Sequence, residues 1–209
     1  MFELDFAKKG PLLFIGCHPD DVEYGCGGLI SKLRNKVPIY VLTLSKNQKN
    51  PNNKNLVQEN VKSLEILGIK NKKNILGDFT TREFSYERQE ICDFLWKIGK
   101  KINPSCVFIP PYDLHQDHQV GHDESLRVFR NKTIIAYDIP RSEKASKSII
   151  FVELSKKNLD DKLKALSKYK TYKNKNYFQK DVIVSECKAN GVKVELSLCE
   201  VFNPISIVI

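Results

Sequence analysis

All four histidines of the chain, His18, His115, His118 and His122, fall in two short acidic segments. The first reads Cys17-His18-Pro19-Asp20-Asp21-Val22-Glu23. The second reads Asp113-Leu114-His115-Gln116-Asp117-His118-Gln119-Val120-Gly121-His122. Neutral imidazole and carboxylate together suit zinc or ferrous iron. Two histidines and one carboxylate leave a coordination position open for water, as a catalytic ion requires. His18, Asp21 and His118 are the expected ligands. Such an ion acidifies water and polarises a carbonyl, so the chemistry is hydrolysis. Asp20, adjacent to Asp21, is the expected proton acceptor. His115 is expected to stabilise an oxyanion or protonate a leaving amine, with Asp117 orienting its ring.

Each segment alone has a plainer reading. His-Pro-Asp-Asp makes a good turn, and Asp caps helices. The case rests on the pair, because each segment directly follows an apolar run with strand character. His122 reads as a helix-face residue and Glu23 as support for its loop. Gly25-Cys26-Gly27-Gly28 does not match the dinucleotide-binding spacing, and a loop bearing Asp20, Asp21 and Glu23 would repel a pyrophosphate. Those glycines are expected to permit a tight entry into the next helix. Six cysteines, with no Cys-x-x-Cys pair, read as small buried residues. A ligand role for Cys17 and Cys26, which flank the first segment, is the minor alternative.

The elements that must position these groups alternate between strand and helix patterns. Short apolar runs at Pro11–Gly16, Pro38–Leu44, Ser105–Ile109 and Thr133–Tyr137 suit interior strands of a parallel sheet. Gly28–Leu33 and Asn55–Leu67 read as helices, the second stopping at Gly68. Thr80-x-x-Glu83 resembles a capping box ahead of a helix through Ile91, Phe94, Leu95 and Ile98, which ends at Asn103-Pro104. In the last third, Ile149–Val152 reads as a strand, and Leu159, Leu163 and Leu166 mark a basic helix. A further helix is expected from Tyr177 to Lys188, followed by a loosely alternating tail from Val192. The fold class is therefore α/β with a mainly parallel sheet, in one domain over residues 1–209. The polar stretch Ser45–Asn55 is the expected long loop.

Composition bounds the rest. Of the 209 residues, 41% are hydrophobic and 28% charged, which is ordinary for a soluble globular protein. No apolar run reaches the roughly 18 residues that span a bilayer. Met1–Asp5 carries acids and lacks a secretory pattern, so a cytoplasmic protein is expected. The net charge of +9 is concentrated in lysines from Lys144 to Lys180. These read as a solvated helix face, with phosphate recognition by Lys170, Lys173 and Lys175 as a sharper reading. Lysines interleaved with Tyr169, Tyr172, Tyr177 and Phe178 are also the pattern of a nucleic-acid-binding module, the main alternative from another class. No nucleic-acid partner is expected on the favoured reading.

Leu12 through Glu23 followed by Gly25–Gly28, together with His115-Gln-Asp-His118, resembles the two signatures of the PIG-L/LmbE-like deacetylases. Glu59 to Gly68 and Cys199-Glu200-Val201-Phe202 extend the likeness more weakly. The resemblance implies a Rossmann-like three-layer sandwich and a Zn2+-dependent N-deacetylase acting on an N-acetyl sugar, nucleotide sugar or glycoside. It implies the same roles: His18, Asp21 and His118 on the metal, Asp20 as general base, and His115 with Asp117 at the transition state. It is also compatible with a homo-oligomer. Two departures stand out. Many members carry a substrate-contacting arginine where this chain has Leu56, and Thr43-Leu-Ser-Lys-Asn47 lacks the usual glycine of that turn. A different acyl amide is the nearest competing substrate.

Overall fold

A computed structural model describes residues 10–139 and 149–208. Met1–Asp5, Lys144 and Ile209, which entered the sequence reading, lie outside the described residues. The apolar runs form β1 (Leu12–Gly16), β2 (Ile39–Thr43), β4 (Cys106–Ile109) and β5 (Thr133–Tyr137). Every residue of β1, β4 and β5 is buried, as strands covered on both faces must be. Three more strands, β3 (Asn74–Leu76), β6 (Ile150–Glu153) and β7 (Cys199–Ser206), complete a sheet of order β3-β2-β1-β4-β5-β7-β6. The first five strands are parallel; β7 runs antiparallel to both β5 and β6.

Helices cover both faces: α1 (Asp21–Leu33), α2 (Leu56–Ile66), α3 (Arg88–Ile102), α4 (Gln116–Val128), α5 (Lys156–Leu166) and α6 (Lys180–Val192). Alternation along β1 sends Leu12 and Phe14 into the core beneath α1 and α2, and Leu13 and Ile15 into the core beneath α3 and α4. Burying each such side chain contributes roughly 1.5–3 kcal/mol. Phe14 and Phe108 are register partners on β1 and β4, and their rings stack with centroids 4.3 Å apart. That pair pins the two strands whose following loops carry the histidines. The chain leaves β1 for β2 and β3, then returns to β4 on the other side of β1. The C-terminal ends of β1 and β4 therefore flank the switch point where α/β sheets open a crevice.

Several local expectations need correction. The glycines of Gly25–Gly28 lie inside α1, not at its entry. A Cβ on Gly25 would stand 2.3 Å from the Tyr137 ring, so the residue is small because helix and strand touch there. Thr80–Glu83 forms a turn instead of a capping box: α3 begins at Arg88, and the Thr80 N–H instead donates to the Glu87 carboxylate at 2.8 Å. The last helix runs through Asn190-Gly191 to Val192, and the final strand starts only at Cys199. Lys162 is no part of the solvated face. It is buried, with its ammonium 2.8 Å from Glu200, whose carboxylate also accepts the N–H groups of Gly28 and Leu29. The Cys199–Phe202 segment thus ties α1 and α5 to the sheet.

Candidate metal centre

β1 delivers Cys17 and His18 to the crevice, and α1 begins immediately at Asp21. Asp20 sits between them with φ 101°, a left-handed conformation that non-glycine residues adopt only at a cost. This turns consecutive carboxylates in different directions. Asp21 Oδ2 folds back to accept the N–H groups of Cys17 and His18 at 2.9 and 2.8 Å. On the other side of the crevice, His115 is the N-cap of α4. Its Nδ1 accepts the Asp117 N–H at 3.1 Å, which leaves Nε2 to carry the ring proton when the ring is neutral.

The two segments converge. Asp21 Oδ2 lies 3.4 Å from His118 Nε2 and 3.6 Å from His18 Nδ1. Ligands bonded at about 2.0–2.1 Å in a tetrahedron stand roughly 3.3 Å from one another, so this donor spacing fits a zinc-sized ion. The other nitrogen of each ring is held by a carboxylate. His18 Nε2 is 2.8 Å from Asp117 Oδ2, and His118 Nδ1 is 2.8 Å from Asp113 Oδ2. Carboxylates behind ligating histidines are the usual support of a metal centre. His115 stacks on His118 with centroids 4.6 Å apart, and nitrogens of His18, His115 and His118 all lie within 4.8 Å of one another.

Asp113, to which the sequence reading gives no role, supports His118, and the Asp117 side chain, expected at His115, lies on His18. The carboxylate of Asp117 supports His18 and accepts the Arg82 N–H at 2.7 Å; only its backbone touches His115. The physical reason is the helix cap: His115 precedes α4 and meets main-chain donors, while the Asp117 side chain points across the crevice. His122 Nδ1–H donates to the Pro110 carbonyl, 2.9 Å away, and the ring packs in the helix face as expected. Glu23 is buried on Tyr169 and Asn60, supporting α1 from behind.

Charge follows this geometry. Burial pulls the His18 imidazole down, but its bonds to Asp117 and Asp21 override that and hold it at about 9. Burial likewise opposes His118, yet Asp21 and Asp113 raise it to about 10. The carboxylate surroundings thus favour positive charge at the two rings. Burial, reinforced by His18 and His118, keeps His115 down at about 4 and therefore neutral at pH 7. Burial and the neighbouring Asp21 charge push Asp20 well above the usual carboxylate range. Burial also raises the Cys17 thiol well above its ordinary value, and its Sγ donates to the Asp117 carbonyl at 3.2 Å. Cys17 is a packed thiol, and so is buried Cys26, held in its neutral form mainly by burial.

The crevice opens into a cavity of about 790 Å³. Its walls include Asp20, the Ser45–Asn55 loop, Arg82, His115 and the segment Thr171–Tyr177. Asn47 takes φ 54° in that loop, supplying the left-handed turn without a glycine. Leu56 is fully buried among Tyr24, Leu166, Tyr169 and Tyr172, so its position faces an apolar cluster. Of the four aromatics interleaved with lysine, Tyr169 and Tyr172 are buried and Tyr177 and Phe178 are half-buried.

Residues 13–129 match the family model PIG-L: GlcNAc-PI de-N-acetylase. The chain is 28% identical over 174 residues to the uncharacterized deacetylase YaiS of Escherichia coli (strain K12), covering 78% of this chain and 92% of that protein. The N,N'-diacetylchitobiose deacetylase from Pyrococcus horikoshii shares the fold with a TM-score of 0.78 at 20% identity, covering 98% of this chain and 87% of that one. A zinc-inhibited form of teicoplanin deacetylase Orf2 shares it with a TM-score of 0.75 at 14% identity, covering 93% of this chain and 97% of that one.

Proposed function

The chain belongs to the PIG-L family of GlcNAc-PI de-N-acetylases, and we propose on that premise that it is a metal-dependent hydrolase removing the acetyl group from an N-acetylated sugar, nucleotide sugar or glycoside. The observation that carries this reading is the convergence of His18 Nδ1, Asp21 Oδ2 and His118 Nε2 beside Asp20. Those three residues hold the ion, zinc or ferrous iron. When bound, the ion supplies Lewis acidity toward the attacking water and the acetamide carbonyl.

The side chains divide the remaining work. Asp20, its affinity for protons raised by burial, takes the proton from the attacking water. His115 is neutral and carries its proton on Nε2, so it donates a hydrogen bond to the developing oxyanion. That assignment selects oxyanion stabilisation over amine protonation. The proton on Asp20 then passes to the amine as the C–N bond breaks, leaving acetate and a free amino sugar. Asp117 and Asp113 keep His18 and His118 in the orientation that faces the ion. The cavity volume of about 790 Å³ suits a saccharide with a further substituent. All six cysteines are free thiols, which fits a cytoplasmic setting. No helix among the described residues is long and apolar enough to cross a membrane. We take residues 1–209 as one deacetylase domain, since every described strand joins one sheet.

Metal analysis by mass spectrometry tests the centre. Wild type should carry about one zinc or iron per chain, and Asp21→Ala and His118→Ala should lose it. Acetate release from N-acetylglucosamine derivatives then tests the reaction. A wild-type protein that neither contains nor takes up zinc or iron would sink the reading.

A further inference from the structure

Among the described residues three bearing Lys or Arg cations line the cavity: Lys49, Arg82 and Lys175. Two of them have evident occupations. Lys49 Nζ is ion-paired with Glu83 at 3.1 Å. Lys175 Nζ sits 3.5 Å above the Tyr172 ring, donates to Tyr177 Oη at 3.1 Å, and is close enough to Asp20 to oppose the rise in its proton affinity. The exposed guanidinium of Arg82 makes no hydrogen bond, ion pair or ring contact with any described residue.

The backbone of Arg82 is held firmly. Its N–H donates to Asp117 Oδ2 at 2.7 Å, and its carbonyl accepts from Gln116 Nε2 at 2.7 Å. Both partners lie in the first turn of α4, and Asp117 is the carboxylate that orients His18. Arg82 takes φ 71°, a conformation for which turn chemistry selects glycine or asparagine. An arginine there is not explained by its backbone. A planar five-donor fork on a fixed base, at the wall of a cavity, is suited to bidentate binding of a phosphate or carboxylate.

We propose that Arg82 binds an anionic group, phosphate or carboxylate, carried by the substrate outside the reacting acetamide. The proposal rests on the hydrolase reading for the word substrate, but its test does not require turnover. Among the described lysines of the basic stretch singled out in the sequence, only Lys175 lines this cavity wall, whereas Lys170 and Lys173 do not. Anion recognition therefore centres on the loop before α3, away from the lysine-rich helix.

The test uses amino-sugar products, which cannot be deacetylated, and isothermal titration calorimetry on the metal-loaded protein. The probes are glucosamine, glucosamine 1-phosphate, glucosamine 6-phosphate and muramic acid. At least one charged sugar should bind about tenfold tighter than glucosamine, the increment expected of a charge-assisted hydrogen-bonded pair. Arg82→Ala should bring that ratio close to one while leaving glucosamine affinity within about twofold, and Arg82→Lys should restore it in part. The phosphate and carboxylate arms tell the two sources apart. Charged sugars binding no better than glucosamine, or failing to bind, would overturn the proposal. So would a ratio that survives Arg82→Ala, because the anion would then sit on the metal or Lys175. Acetate release without this preference defeats the Arg82 proposal alone; the preference without acetate release defeats the deacetylase reading alone.

Discussion

Asp117 Oδ2 lies 2.8 Å from His18 Nε2, and this single contact decides which nitrogen of His18 faces Asp21. The same oxygen accepts the Arg82 N–H, so one carboxylate fixes both a proposed ligand and the cavity wall.

Replacing Asp117 by Asn removes the charge behind His18 while keeping the side chain's shape. Metal affinity should fall about 10- to 100-fold, read by competition with a chromogenic chelator. Asp113→Asn should act similarly through His118 Nδ1. Unchanged affinity in both would separate these carboxylates from the metal.

Metal removal should lower thermal stability. The proposed ligands come from segments about 100 residues apart, His18 and Asp21 on one and His118 on the other, so the ion binds only a folded chain. At a free concentration 100 times its Kd the ion stabilises the fold by about 2.7 kcal/mol. Calorimetric Tm should drop on chelation in wild type and stay put in Asp21→Ala.

Gly25→Ala should destabilise the protein by about 1–3 kcal/mol, because the new methyl meets the Tyr137 ring. Urea denaturation measures this directly. Gly10→Ala, where the nearest atom to an added Cβ is 3.5 Å away, serves as the mild control.

Leu56→Arg would introduce the residue that the family resemblance implies at this position, yet it should harm this protein. Leu56 is fully buried among aromatic rings, and a guanidinium placed there lacks a partner. A loss of at least about 2 kcal/mol in urea denaturation is expected. A stable variant with improved turnover would show that the side chain escapes to the cavity.

The strands that position the site were legible because they are buried on both faces, so their apolar runs are continuous. β3 was not, since Asn74–Leu76 is three half-buried residues at the sheet edge. β7 was not legible as a strand because Asn203 and Pro204 interrupt its pattern, while the apolar residues of Val192–Leu198 belong to a helix end and turns. That His18, Asp21 and His118 would meet was readable from residue type and their place after strands. Their supporting carboxylates were not. Asp117 serves a ring 99 residues away, and Asp113 reaches back to His118 across a loop, where no local spacing rule applies. Arg82 carried no signal at all, because its turn is defined by the helix it rests against.

The position of β7 has a consequence for biosynthesis. Residues Cys199–Ser206 fill the gap between β5 and β6, and Glu200 within them holds the N–H groups of Gly28 and Leu29 in α1. A chain made only as far as residue 198 has an open slot in its sheet and lacks the Glu200 anchor of its first helix. The helix that begins at Asp21 therefore gains its final support from a strand made long after it. Folding of the centre is complete only once this late strand has been made, and until then the exposed edges of β5 and β6 are surfaces for chaperones to shield.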